Sequence, residues 1–298
     1  MTGFLTHLGA LSLGGAAAAL LLWGTSRFTR SRYAARWRCW GWLLLCLRLA
    51  APLPLPALPV QGAAPIRLPA PSDAVIYRPE PAPAAPAAPP GQGGAQPAPP
   101  AVPDSPGAAV SQPPAEPEPS PLTLSRLLTG AWLAGAAAVL LYQLWCHIRF
   151  VRYVRRWSET VSDPETLAVF RALGRQLGIS RLPRLTVCQG LEVPMLAGVL
   201  RPVLLLPRRE LDPDELRYSL LHELIHCRRR DIPFKALSLW VAALHWFNPV
   251  MWLLGRWVER DTELACDDAA LRRLPPGEHA AYGRTILSAV ERLKGEAS

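Results

Sequence analysis

Residues 222–226 read His222-Glu223-Leu224-Ile225-His226, and the segment around them decides how the chain is to be read. Histidines four apart stand on one face of an α-helix, one turn from each other, so both imidazoles can reach a single Zn²⁺. Glu223 lies beside them, where a carboxylate can take a proton from a water activated by the ion. The helix is signalled at both ends. In Asp212-Pro213-Asp214-Glu215, Asp212 caps, Pro213 suits the first helical position and Glu215 at the third completes a capping box. Arg228, Arg229 and Arg230 fall in the last turn, where cations complement the helix dipole. They could equally be solvated surface or touch anionic lipid. Leu220, Leu221, Leu224 and Ile225 supply the apolar side that packs inward.

A catalytic zinc ion takes three protein ligands and keeps a fourth position open. The best third candidate is Glu263, in Glu263-Leu264-Ala265-Cys266-Asp267. That segment reads as helix, with Glu263 and Asp267 one turn apart on one face. Asp267 is then placed to accept a hydrogen bond from the far nitrogen of a liganding histidine. Cys227, Cys266, His245 and His279 are weaker ligand candidates. Cys266 as a fourth ligand would close the site and make the zinc structural.

Residues 237–257, between the two ligand segments, are apolar and rich in tryptophan. By hydropathy they would cross a membrane, but one full crossing would part Glu263 from the histidines. Asn248-Pro249 offers a break. The expectation is a segment that enters the membrane partly, or lies against the spans, and returns to the same side.

Three further stretches read as membrane spans. Residues 4–23 carry no formal charge and cover a ~30 Å hydrocarbon core. Residues 40–58 form a weaker span that contains Arg48 and ends in prolines. Residues 127–145 form a third. Arg27, Arg30, Arg32, Arg36 and Arg38 follow the first span, and Arg149, Arg152, Arg155 and Arg156 follow the third. By the positive-inside rule both groups are cytoplasmic. Their nine charges equal the net charge of +9, so the basic balance sets topology and does not point to nucleic acid. Of 33 prolines, 23 lie between Pro52 and Pro121, which marks residues 61–121 as an external, mostly extended or disordered loop. That loop is either a spacer or a ligand sensor. All six cysteines lie outside it, so no disulfide framework is implied.

The organisation expected is residues 1–60 as two spans with an Arg-rich cytoplasmic loop, 61–121 as the external loop and 122–146 as the third span. Residues 147–298 then form a cytoplasmic α+β domain. Within it, residues 164–178 read as helix, with Asp163 capping. Residues 185–189 and 194–206 read as short strands punctuated by Gly190, Gly198 and Pro202.

HELIHCRRRD, HWFNPVMWLL and ERDTELACDDAAL (residues 222–231, 245–254 and 259–271) resemble the BlaR/MecR family of membrane metallopeptidases, the antibiotic-sensing signal transducers of bacteria. The likeness spans most of the chain, with the three motifs in order. It implies a multi-pass α-helical protein of the bacterial inner membrane, N-terminus outside, with a cytoplasmic gluzincin-like zinc metallopeptidase domain. It implies zinc at His222, His226 and Glu263, with Glu223 as catalytic base. It also implies regulated proteolysis of the protein itself and of a winged-helix repressor. Partners expected are the membrane, that cytoplasmic repressor as substrate and a second copy of the chain, with no direct nucleic-acid contact. The β-lactam sensors carry a further span and an external penicillin-binding domain after the protease. Here the sequence stops at Ser298 and contains no Ser-x-x-Lys, so the expectation is either a truncated sensor or sensing delegated to a partner or to the loop. Rival readings are a quality-control membrane protease and a non-enzymatic receptor with a structural zinc. An extended substrate is expected along a strand near residues 193–200, and the oxyanion donor is open between His245 and Arg260.

Overall fold

The computed structural model describes residues 2–28, 35–51, 75–77 and 122–295. In chain order the elements are α1 (Thr2–Phe28), α2 (Ala35–Ala50), β1 (Val75–Tyr77), β2 (Leu122–Thr123), α3 (Leu124–Trp157), β3 (Ser158–Thr160), α4 (Pro164–Gln176), β4 (Arg184–Cys188), β5 (Met195–Ala197), β6 (Val203–Pro207), α5 (Pro213–Arg229), α6 (Asp231–Leu244), α7 (Pro249–Leu271) and α8 (His279–Gly295). A 3₁₀ turn, Pro276–Glu278, precedes α8. The fold is rich in helix, with a small mixed sheet.

Among the described residues, two helices are long and apolar enough to cross a membrane: Gly3–Ser26 within α1, and α3. The second expected span, residues 40–58, is described only as far as residue 51, and α2 has 16 residues. At 1.5 Å per residue that is about 24 Å, short of a full hydrocarbon core. The third span does not stop at residue 145. α3 runs on to Trp157, so the boundary drawn at 146/147 falls inside one continuous helix. Much of the region 61–121 lies outside the described residues. Val75–Tyr77 within it pairs antiparallel with Leu122–Thr123. Arg30 and Arg32 also lie outside the described residues.

The four-stranded sheet has the order β3-β4-β6-β5, with β4 and β6 parallel and both outer pairs antiparallel. β5 is therefore an edge strand. Gly198 turns the chain from β5 towards β6 at φ 91°, and a Cβ there would stand 2.6 Å from the Arg201 carbonyl oxygen, so glycine is required. Asp163 caps α4 by accepting from the Thr166 N–H at 2.8 Å, and Asp212 caps α5 from the Asp214 N–H at 3.2 Å. The apolar side of α5, with Leu220 and Leu224 fully buried, packs against the sheet, α4, α8 and the second half of α7. Each such leucine contributes about 1.5–3 kcal/mol of hydrophobic stabilisation.

A second core joins α1, α2, α6 and the first half of α7 around Trp42, Cys46, Leu49, Met251 and Leu254. The apolar segment 237–257 is thus a broken pair of helices. Asn248 accepts from the Val250 N–H at 3.0 Å and Pro249 occupies the first position of α7. The break returns the chain along α6, against α2. At its tip the Trp246 indole lies over Gly135 of α3, where a Cβ would be 2.2 Å from the ring. Trp132 of α3 donates to the Leu244 carbonyl at 2.8 Å. Because α7 spans both cores, its second half carries Glu263 back to α5.

Candidate metal centre

His222 and His226 sit on the face of α5 turned to α7, both buried. Their Nε2 atoms lie 3.0 Å apart. Glu263 Oε2 stands 3.2 Å from His226 Nε2 and 3.4 Å from His222 Nε2. A tetrahedral ion with metal–ligand distances of about 2.0–2.1 Å holds its donor atoms about 3.3 Å apart. Two imidazole nitrogens and one carboxylate oxygen at this spacing fit three of the four tetrahedral positions of Zn²⁺.

The far side of each of these candidate ligands is also held. His226 Nδ1 is 2.8 Å from Asp231 Oδ2, and that carboxylate accepts from Arg229 Nε at 2.9 Å. Asp231 reaches His226 because Arg230 adopts a left-handed conformation at φ 58°, ending α5 and starting α6 in one residue. His222 Nδ1 meets the Tyr282 hydroxyl at 2.9 Å, and that hydroxyl donates to Asp267 Oδ1 at 2.8 Å. Asp267 Oδ1 itself stands 3.3 Å from His222 Nδ1. Glu263 uses its second oxygen, Oε1, to accept from Lys235 Nζ at 2.8 Å. These contacts fix both rings with Nε2 towards Glu263, the arrangement that orients histidine ligands and raises their basicity.

The electrostatics agree with a cation site. Burial works against protonation of His226, but hydrogen bonds with Asp231, Cys266 and Glu263 outweigh it and raise its pKa to about 11. His222 is likewise raised well above the ordinary imidazole value against the opposing effect of burial. Burial also opposes ionisation of Glu263, yet His222, His226 and Lys235 hold its carboxyl far below the usual range. Such a cluster retains positive charge, and a metal can replace the protons. Glu223 behaves differently: burial pushes its carboxyl upward, partly offset by the two histidines and by the Leu196 backbone N–H. An upward shift makes the carboxylate a stronger proton acceptor, the direction a general base needs.

Cys266 Sγ lies 3.8 Å from His222 Nδ1 and donates to the His222 carbonyl at 3.4 Å. His222, His226 and Cys266 all lie close enough to share an ion. The thiol, however, meets the ring nitrogen opposite Glu263, so the Nε2–Nε2–Oε2 set is the better-formed one. His245 is buried in the second core, donating from Nε2 to the Leu49 carbonyl at 3.2 Å. His279 Nε2 bonds the Leu271 and Leu274 carbonyls at 3.0 and 3.1 Å, closing the end of α7.

Asp231, Lys235 and Tyr282 are absent from the sequence reading. Asp231 had a local signal, since Pro233 marks a new helix start directly after the arginine triplet. Lys235 is one of only two lysines in the chain. Tyr282 lies 60 residues from His222, and nothing local announces it.

A cleft of about 660 Å³ reaches His226. Leu196, Gly198, Val199 and Leu200 line one wall, and Cys227, Ile232 and Pro233 the other. Leu200 is 93% exposed at its rim.

The chain is similar to Regulatory protein BlaR1 of Bacillus licheniformis, 29% identical over 158 residues, which is 52% of this chain and 26% of that protein. It is similar to the Methicillin resistance mecR1 proteins of Staphylococcus aureus and Staphylococcus epidermidis, 31% identical over 100 residues, 33% of this chain and 17% of each. The chain thus matches about a quarter of the length of the first relative and about a sixth of the others. The model of the family described as BlaR1 peptidase M56 matches residues 6–297, which takes in both helical cores, the sheet and the cluster around His222, His226 and Glu263, and the chain belongs to this family.

Proposed function

We propose that the chain is a membrane-embedded zinc metalloendopeptidase that cleaves a cytoplasmic protein in signal transduction. The observation that carries this reading is the convergence of His222 Nε2, His226 Nε2 and Glu263 Oε2 within 3.0–3.4 Å, with an acid next in sequence to the first ligand. His222, His226 and Glu263 would hold the ion, and Asp231, Asp267 and Lys235 would orient them. Zinc, when bound, supplies Lewis-acid chemistry, polarising a peptide carbonyl and acidifying water. Glu223 accepts the proton from the attacking water and passes it to the departing amine. The substrate lies extended in the cleft along β5, adding a strand to the sheet edge. Leu196 belongs to that strand and its N–H faces the Glu223 carboxylate, so the edge and the base address one peptide bond.

α1 and α3 support anchoring in a bacterial inner membrane, with residues 147–298 on the cytoplasmic side and the N-terminus outside. The relatives are named as regulatory and resistance proteins, which favours a transcriptional repressor of the winged-helix type, and the chain itself, as substrates. Co-expression with such a repressor tests this. Fragments that appear with the wild type and vanish with Glu223→Ala support it. A repressor that stays intact beside an enzyme active on unfolded membrane proteins favours a quality-control role. The thiol of Cys266 beside His222 motivates a second reading, a receptor with a closed structural zinc. In that case Cys266→Ser loses the metal, whereas the peptidase reading expects the metal to stay.

A further inference from the structure

A groove of about 670 Å³ lies between α2 and α6, with Asp231 among its lining residues. Its two ends differ in chemistry. Arg36, Arg228, Arg229, Arg230, Arg272 and Arg273 all line it, at the end where α2 and α6 begin. Arg229 is paired with Asp231, and Arg273 donates to the Ala269 carbonyl. Among the described residues no carboxylate pairs with Arg36, Arg228, Arg230 or Arg272. Burial, and after it the charges of Arg228 and Arg272, press the Arg273 guanidinium below its ordinary pKa, as expected where like charges crowd without a counter-ion.

The rest of the groove is apolar, walled by Trp40 and Leu43 of α2 and by Pro233, Phe234 and Leu237 of α6. The two helices run side by side in the same direction. Arg229 approaches Cys39 Sγ at the charged end, and at the other end Trp240 Nε1 donates to the Ala50 carbonyl at 3.1 Å. Further along the same two helices Leu44 and Leu47 of α2 and Trp240 of α6 are exposed apolar side chains.

A ligand matching this surface has a compact anionic head and a long apolar tail, with the head at the arginine end. A water-soluble anion would leave the aromatic and leucine walls uncovered, and a neutral lipid would leave the arginines without partners. We propose that the groove binds one anionic phospholipid, its phosphate among Arg36, Arg228 and Arg272 and an acyl chain along Leu43 and Leu237. This rests on the reading of the chain as a membrane protein, since only there does the ligand lie at hand.

Native mass spectrometry of the full chain in a mild detergent tests it, with phosphatidylglycerol and phosphatidylcholine of identical acyl chains added in turn. The wild type is expected to retain one phosphatidylglycerol in preference to phosphatidylcholine. Arg228→Gln with Arg272→Gln should weaken that retention about 30-fold, the scale of two juxtamembrane arginines. The Lys pair at the same positions should hold it within about threefold. Circular dichroism and elution volume serve as folding controls for both variants. Equal retention of the two lipids, or a Gln pair that binds like the wild type, overturns the proposal. So does displacement of the lipid by glycerophosphate at matched concentration, which would mean that the tail contributes nothing. Displacement by a glutamate-rich peptide would reassign the groove to a protein segment. Recovery of the chain in the aqueous fraction without detergent would instead refute the membrane reading, a separate result.

Discussion

The Asp231 carboxylate lies 2.8 Å from His226 Nδ1, five residues downstream of the ring it orients. A continuous helix could not make this contact, because position five is rotated about 140° from position zero, nearly to the opposite face. The left-handed Arg230 makes it possible. Asp231→Asn should keep the fold and lower zinc affinity about 10–100-fold, the usual effect of removing an orienting carboxylate. Competition with a fluorescent chelator measures this.

Lys235 and Glu263 give a graded pair. Glu263→Gln removes a ligand and should abolish stoichiometric zinc. Lys235→Met leaves the ligand but frees its Oε1, which now accepts from Nζ at 2.8 Å. The expected loss is about tenfold in affinity, not loss of the metal. Metal analysis after dialysis at fixed free zinc separates the two.

Glu215 predicts the acid behaviour of the domain. The Arg209 guanidinium is the leading cause that holds its carboxyl below the ordinary value, at 2.5 Å, and Arg292 adds to it. A depressed folded pKa means stability that is present above the unfolded pKa and is lost as pH falls through the folded one. Arg209→Gln should cost about 1–2 kcal/mol at neutral pH, with the difference from wild type vanishing in acid. Denaturant titrations at pH 7 and pH 3 in the same detergent check the sign.

Asp261 ties α7 to α2. Its carboxylate lies 3.2 Å from Arg38 Nε and accepts from Trp42 Nε1 at 2.8 Å, and all three side chains are buried. Asp261→Ala leaves Arg38 uncompensated and should destabilise by about 3–5 kcal/mol. A lowered midpoint of thermal unfolding, with zinc content unchanged below it, is the expected outcome.

The parts of this architecture that were legible in the sequence are those written locally. The caps at Asp163 and Asp212, the one-turn spacing of His222 and His226, and the break at Asn248-Pro249 each rest on residues within a few positions. The last of these also implied that Glu263 returns to the histidines. What escaped depends on three-dimensional return. Tyr282 reaches His222 through α8, and Lys235 reaches Glu263 across the α6–α7 break. Asp231 needed a left-handed residue that an arginine rarely adopts. The extent of α3 escaped for another reason: arginines after an apolar run read as the end of a span, whereas the helix itself continues through them to Trp157.

Glu223 carries the central claim, because it touches none of the contacts that hold the ligands in place. Zinc stoichiometry and cleavage of a co-purified substrate, measured side by side for wild type and Glu223→Ala, test it most directly. The expected result is an unchanged zinc content near one per chain with cleavage reduced about 10²–10⁴-fold. Full cleavage by a zinc-loaded Glu223→Ala variant would contradict the assigned base.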